Sequence, residues 1–258
     1  MVESAVYAFS LKLKLIWGAF FIGFAILTSV FRLKYVFNKL GTFISPRVIL
    51  EYFLIANSSV FSFIKMSSTV SVYYLVKKGV FLSHAMTGFM IERFFDLSLH
   101  LLVSALFIGT YSVPAVFALV FLVGFTLLFT KKFEWFSKWS FLRKLGDFKE
   151  ELKKVVDFES FFVLGVFSLV IFILNSLAVS RLVGVGFFLG ASVVALGGVV
   201  VGASPTPIGL GVYEVALPSF LVSQGVSPEV ALGGILTYRF LILWVPAIAG
   251  LFVAGRRL

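Results

Sequence analysis

The sequence predicts an all-α, polytopic transmembrane helical bundle, with about six full spans, two broken or re-entrant hairpins and an internal two-fold repeat. Three observations predict it: the composition, the spacing of the apolar segments, and a similarity between the two halves of the chain. Of the 258 residues, 60% are hydrophobic and 13% are charged. A soluble domain of this size carries about 25% charged residues. The composition therefore indicates a single integral membrane domain over residues 1–258.

The composition also argues against several classes of function. The chain has no cysteine, which removes disulfides, thiolate metal sites and a cysteine nucleophile. It contains neither a G-x-x-x-x-G-K-[ST] motif nor a G-x-G-x-x-G motif after a strand. The only histidines, His84 and His100, form no local metal-binding motif, so we expect no metal and no cofactor. The basic residues lie between apolar segments, which favours anionic lipid headgroups over nucleic acid as partners.

Apolar segments of about 20 residues, the length that crosses a bilayer, follow one another along the chain. Five uninterrupted segments, 13–31, 81–108, 114–130, 161–180 and 228–253, account for most of the roughly six predicted full spans. Two further apolar regions, 48–76 and 185–222, are interrupted by polar residues or by prolines and glycines, and we expect them to form hairpins.

Residues 131–157 differ from the rest of the chain. Apolar residues recur there at spacings of three and four, with charged residues between them. This pattern predicts an amphipathic helix. The helix could lie on the membrane surface through its tryptophans and lysines, or it could be a solvated connector packed loosely against the spans.

The second hairpin region contains the sequence S-P-T-P-I-G-L-G-V-Y-E. Its residues Pro205, Pro207, Gly209 and Gly211 cannot continue a helix. In lipid, the peptide groups of such a break need protein partners or a water-filled cavity. Glu214 follows where a new helix would begin, beside the positive end of its dipole. Because broken helices with charged groups at the break form transporter binding sites, we expect a re-entrant loop with Glu214 as a substrate-binding residue.

The two halves of the chain resemble each other at an offset of 146 positions, which relates Gly79 to Gly225. The other matches at this offset are Leu75/Leu221, Val76/Val222, Val80/Val226, Ala85/Ala231, Gly88/Gly234, Arg93/Arg239, Phe94/Phe240 and Leu97/Leu243. Apolar matches carry little weight in so apolar a chain, but the glycine and arginine matches are informative. We therefore predict a first half over about 12–109, a connecting part over about 113–157 and a second half over about 158–255.

The direction of the second half relative to the first depends on the hairpins. If both hairpins enter the membrane and return, the halves are inverted, and most basic connections, including Arg32 and 131–157, lie on the cytoplasmic side. If both cross fully, the halves are parallel. The positive-inside rule favours the inverted arrangement, with the N-terminus outside.

Charged residues within the spans are candidate site residues, because each costs about 2.5–3.5 kcal/mol at the bilayer centre. Glu92, Arg93, Asp96 and His100 share one face of the span 81–108. Arg93 and Asp96 are three positions apart and can pair with each other. These charges could equally serve only to hold helices together. Arg239 has no acid within one turn of its own helix, and we expect Glu214 or Glu92 to be its partner.

These motifs resemble those of the lysylphosphatidylglycerol synthase transmembrane-region family, whose loop signature runs roughly P-x-P-G-G-L-G-x-x-E. The matching residues are Pro205, Pro207, Gly209, Leu210, Gly211 and Glu214, with Ile208 in place of the first glycine. The sequence I-E-R-F-F-D-L at 91–97 is similar to the family's E-R-x-x-D helix, and 231–239 is similar to its A-x-x-x-x-x-x-Y-R helix. The chain departs from the family at 66–72, where M-S-S-T-V-S-V replaces an expected Gly-Glu and arginine.

The resemblance implies a multi-pass protein of the cell membrane that handles a lipid with an anionic headgroup. We expect a flippase-like lipid translocase that binds the headgroup through Glu214, Arg239, Arg93, Glu92 and Asp96, with no catalytic residue. One alternative is an enzyme, or a subunit of one, that modifies lipid headgroups. Another is a scaffold for a separate polyprenyl-phosphate glycosyltransferase.

Overall fold

The computed structural model describes residues 2–58, 67–107, 151, 154–155, 157–203 and 209–257. All regular secondary structure within these residues is helical, which confirms the predicted all-α membrane bundle. The predicted span 114–130, most of the amphipathic segment 131–157, and Pro205 and Pro207 lie outside the described residues.

The described helices form two groups along the chain, one that ends at Phe107 and one that begins at Phe158. The first group is α1 (Val2–Lys39), α2 (Pro46–Ser58), α3 (Ser67–Lys77) and α4 (Leu82–Phe107). The second group is α5 (Phe158–Val183), α6 (Phe187–Ala203), α7 (Val212–Ser223), α8 (Pro228–Arg239), a π-helical segment (Phe240–Trp244) and α9 (Val245–Arg257). The last three run on as one continuous helical stretch.

Three described helical stretches are long and apolar enough to cross a membrane: Lys12–Lys39, Glu159–Val183 and Pro228–Arg256. The helix α4 is also 26 residues long, but its centre carries charged side chains. The helices α2, α3 and α7 are only 13, 11 and 12 residues long, so each is too short to cross a bilayer alone.

The surface of α1 is that of a helix in lipid. Its large apolar side chains at positions three or four apart are exposed, namely Ile16, Phe20, Phe24, Leu27 and Phe31. These positions follow one face of the helix, and a continuous apolar stripe of this kind is unfavourable in water. The opposite face of α1 packs against α5.

The helices pack into two apolar clusters. One cluster joins the second part of α1 to α2, α3 and the first part of α4. The other joins α5, α6, α7 and α8. Contacts between the two groups run chiefly from α1 to α5, from α2 to α9 and from α4 to α6.

An N-cap links the end of α1 to the start of α5. The Asp157 carboxylate accepts a hydrogen bond of 2.6 Å from the Ser160 backbone N–H and one of 3.3 Å from Lys39 Nζ. The hydrogen bonds from Ser160, more than that from Lys39, lower the pKa of Asp157. The Ser160 N–H in the first turn of α5 thereby has a hydrogen-bond acceptor.

Two glycines allow the closest helix contacts between the groups. A Cβ atom at Gly250 of α9 would collide with the Leu54 carbonyl oxygen of α2, and one at Gly198 of α6 would collide with the His100 ring of α4. Small residues at such crossings are how membrane helices approach each other.

We predict that Gly250→Ala lowers stability by about 1–3 kcal/mol, because the added methyl group forces α9 away from the α2 backbone. Gly255→Ala is the matched control on the same helix, since a Cβ atom there meets nothing within 4 Å. The control gains about 1 kcal/mol from helix propensity. Thermal unfolding in detergent measures both, and equal melting temperatures for the two variants would contradict the packing described.

Candidate functional site

A cavity of about 280 Å³ lies between α4, α5, α6, α7 and the α8–π segment. Both arginines that the sequence singled out, Arg93 and Arg239, line it. Its other polar lining residues are Asn57, Asp96, His100, Ser168, Asn175, Tyr213 and Tyr238. The cavity is therefore a polar recess inside an otherwise apolar bundle.

Arg239 is held on one side of this cavity by an acid and an aromatic ring. Its Nε lies 2.9 Å from Glu214 Oε1, and its guanidinium carbon lies 4.1 Å from the centre of the Tyr213 ring. The Arg239 side chain is only 4% exposed. Of the two partners expected from the sequence, Glu214 is therefore the one that pairs with Arg239.

The same carboxylate also begins a helix. The Gly211 backbone N–H donates a 2.7 Å hydrogen bond to Glu214 Oε2, so Glu214 caps the first turn of α7. Gly211 has φ +82° and Gly209 has φ +71°, backbone conformations that favour glycine. One carboxylate thus connects the start of α7 to the arginine at the end of α8.

Asp96 pairs with Arg32 and not with Arg93, which corrects the pairing expected within α4. Arg32 Nη1 and Nη2 lie 2.5 and 3.1 Å from the two Asp96 carboxylate oxygens. Arg32 Nη1 also donates to Ser168 Oγ at 2.8 Å. The sequence had placed Arg32 in a connection after the first span, but α1 continues to Lys39, and Arg32 is buried within it. This ion pair joins α1, α4 and α5.

Glu92 is buried beside the same arginine. Its Oε1 lies 3.7 Å from Arg32 Nη2, and its side chain is 6% exposed. Its other oxygen, Oε2, has no hydrogen-bond partner within the described residues. Arg32 therefore faces two carboxylates, and Asp96 has the closer contact.

Arg93 differs from Arg32 and Arg239 in its contacts. Within the described part of the chain it forms no ion pair, and its guanidinium carbon lies 5.5 Å from the centre of the Phe89 ring. Its side chain is exposed and is part of the cavity lining. A second cavity, of about 200 Å³, also has Arg93 in its lining, together with Glu92 and aliphatic residues such as Ile22 and Ile26. Arg93 thus lies between the two cavities.

A search against family models matches the lysylphosphatidylglycerol synthase TM region over residues 2–250. The chain belongs to this family. No curated protein and no solved structure matches it. The family shows that the chain is a membrane protein involved in lipid handling.

In this member of the lysylphosphatidylglycerol synthase TM-region family, the candidate residues from the sequence fall into two groups around the cavity. Arg239 lines it from α8 and is paired with Glu214, and Arg93 and Asp96 line it from α4, whereas Glu92 lines the second cavity. His100 also lines the cavity, with its Nδ1 2.5 Å from the Asp96 carbonyl oxygen. Within the described residues no three His, Cys, Asp or Glu side chains could hold a metal ion.

Three residues of the site in this family member were not predicted from the sequence. Arg32 was missed because it was counted as a connection charge, although the residues after it to Phe37 are apolar apart from Lys34. Asn175, in the middle of an apolar span, lines the cavity and accepts a 3.3 Å hydrogen bond from Tyr238. A polar amide inside a span is a signal that could have identified it. Tyr213 carried no signal beyond its position next to Glu214.

Proposed function

We propose that this protein translocates a lipid with an anionic headgroup between the leaflets of the cell membrane, and that the polar cavity binds the headgroup. The observation that carries the proposal is Arg93, a cation inside a membrane bundle that lines a cavity and forms no ion pair in the described part of the chain. A cation without a close counter-charge is costly in a membrane interior. A phosphate or phosphodiester supplies a negative charge at close range.

Arg239 would provide the second contact to the headgroup. In the described arrangement Glu214 holds it, so we infer that a bound phosphate competes with Glu214 for the guanidinium. Tyr213 would keep the guanidinium plane in place through the cation–π contact. The cavity of about 280 Å³ is roomy enough for a phosphate with a small substituent, but not for an acyl chain as well. Lipid chains would remain outside it.

We further propose that the protein is multi-pass, with two structurally related halves that enclose the site. The helix bounds support the repeat, because α1, α2 and α3 fall near α5, α6 and α7 after the offset of 146, and α4 near α8 to α9. Gly79 and Gly225 both have positive φ, of 87° and 85°. Gly88 approaches α1 and Gly234 approaches α5, at the equivalent residues Phe37 and Val183. Halves of this kind commonly hold a substrate at their interface.

Lipid exchange in vesicles tests the proposal. The purified protein is placed in phosphatidylcholine vesicles with a trace of fluorescent phosphatidylglycerol, and a membrane-impermeant quencher reports the fraction still protected in the inner leaflet. We expect exchange of the anionic probe above the rate of protein-free vesicles. Fluorescent phosphatidylcholine is the control for non-selective leakage of lipid. Exchange of neither probe, or of both equally, would contradict an anion-selective site.

The partners follow from the same proposal. Anionic membrane lipids are the ligands, and a separate glycosyltransferase or lipid-modifying enzyme would act before or after translocation. Lipid extracts of vesicles incubated with the protein alone separate translocation from catalysis. Formation of a new lipid species would favour the enzymatic alternative.

A further inference from the structure

We propose that Arg32 determines the charge selectivity of the site: by holding Asp96, it keeps Arg93 available for an anionic ligand. This inference rests on the proposed function, and it assigns a role to a residue that never contacts the ligand. Arg32 would act as a positioning residue, through the carboxylate that it withholds from Arg93.

The first step in the argument is how completely Arg32 occupies Asp96. Nη1 and Nη2 of Arg32 each face one carboxylate oxygen of Asp96, at 2.5 and 3.1 Å. This is the bidentate geometry in which an arginine and a carboxylate pair best. Ser168 fixes the guanidinium from α5 at 2.8 Å. Arg32 is only 2% exposed, so its guanidinium is shielded from solvent, whereas Asp96 is 30% exposed.

The second step is the competing pair that Arg32 prevents. Arg93 and Asp96 are three residues apart on α4, a spacing at which opposite charges face each other on a helix. Without Arg32, Asp96 would be a carboxylate inside the bundle with no cation at hydrogen-bond distance. Arg93, one turn away on the same helix, is placed to neutralise it. Arg93 would then no longer be available to a ligand.

The third step is the charge of the cavity in each case. With Arg32 present, Arg32 and Arg93 balance the charges of Glu92 and Asp96, and Arg239 balances Glu214, so the described residues around the cavity carry no excess negative charge. With Arg32 neutralised, Glu92 and Asp96 together outnumber Arg93 on that side. The cavity would then repel a phosphate and tolerate a cationic headgroup instead.

The chemistry of arginine is part of the inference. The planar fork of Arg32 contacts two Asp96 oxygens and Ser168 at once, whereas a lysine offers a point charge that reaches fewer of them. We therefore expect Arg32→Lys to hold Asp96 incompletely, with anion affinity between that of the wild type and that of Arg32→Gln.

The test measures binding of a fluorescent short-chain phosphatidylglycerol to the full chain in phosphatidylcholine nanodiscs. Short-chain phosphatidylcholine and free glycerol phosphate serve as competitors, so that recognition of the lipid headgroup is separated from recognition of soluble phosphate. We expect Arg32→Gln to lower the affinity for the anionic lipid by about 10- to 100-fold, the effect of losing a charged hydrogen bond. Lys34→Gln, which removes one positive charge from the same helix, is the matched control and should bind as the wild type does.

The deciding variant is the double substitution Arg32→Gln with Asp96→Asn. It removes the acid that would capture Arg93, so we expect it to recover most of the affinity that Arg32→Gln loses. If Arg32 served only to hold the helices together, the folded fraction of Arg32→Gln would bind the anionic lipid like the wild type, and that result would overturn the inference. Equal loss of affinity in the single and double variants would overturn it too.

Asp96→Asn alone keeps the inference testable if Arg32→Gln does not fold. Asp96→Asn leaves Arg32 and Arg93 both without this acid, so we expect a higher affinity for the anionic lipid, and a lower affinity would count against the inference. A wild-type protein that binds no anionic lipid would refute the proposed function itself. Wild-type binding that Arg93→Gln removes and Arg32→Gln leaves intact would refute the role of Arg32 alone.

Discussion

Replacing Arg93 with glutamine is expected to abolish exchange of the anionic lipid while leaving the protein folded. Arg93 forms no ion pair in the described part of the chain and its side chain is exposed, so its removal breaks no close ion pair. A hydrogen bond from a charged group to a phosphate contributes about 1.5–3 kcal/mol, which corresponds to a loss of about 10- to 100-fold in affinity. Vesicle exchange and thermal unfolding measure the two effects separately.

Arg181→Gln is the matched control for this variant, because Arg181 is an exposed arginine in the last turn of α5, away from the cavity. It should exchange lipid at the wild-type rate. Arg93→Lys retains the charge but not the guanidinium fork, and should keep part of the activity. Unchanged exchange by Arg93→Gln would show that the proposed headgroup site is wrong.

Replacing Glu214 with alanine is expected to reduce both stability and lipid exchange. The alanine variant leaves Arg239, only 4% exposed, without its acid, and it removes the hydrogen bond to Gly211 that caps α7. Breaking one partner out of a buried ion pair costs about 3–5 kcal/mol. Since Glu214 itself is 22% exposed, we expect the lower end of that range. The melting temperature and the exchange rate are the measurements.

Glu214→Gln separates the two roles of this residue. The glutamine can still accept the Gly211 hydrogen bond, but it cannot neutralise Arg239, so we expect a smaller loss of stability than in Glu214→Ala. Glu229→Ala is the control, because Glu229 is an exposed acid in the first turn of α8. If Glu214→Ala were as stable and as active as Glu229→Ala, the ion pair with Arg239 would have no role in either property.

Helix positions could be predicted from the sequence because lipid leaves the backbone few alternatives. The predicted spans 81–108 and 161–180 correspond to α4 and α5 within a few residues. The end of α1 could not be predicted, because Arg32 looks like the charge that terminates a span. Its burial depends on Asp96, which is distant in the sequence, and no local pattern reports a contact of that kind.

The candidate site was predictable where two signals coincided. Glu214 stood out because an acid followed a broken helix, and the expected pair with Arg239 is present. The predicted partner of Asp96 was wrong. Helical spacing identifies which charges can meet within one helix, but it does not show whether another helix supplies a closer partner. Tyr213 was missed because its role depends on the shape of the cavity, whereas Asn175, a polar amide inside a span, could have been identified.

The π-helical segment Phe240–Trp244 begins directly after Arg239. A turn with i→i+5 hydrogen bonds holds one residue more than an α-helical turn. The stretches before and after it are therefore out of step by one residue, or about 100° of rotation and 1.5 Å of rise. If the π-helical turn moved to another position along the helix, the Arg239 guanidinium would rotate about the helix axis. The peptide groups of the helix would stay hydrogen-bonded. Because a π-helical turn keeps its peptide groups hydrogen-bonded, the segment changes the helix phase without presenting bare backbone to lipid.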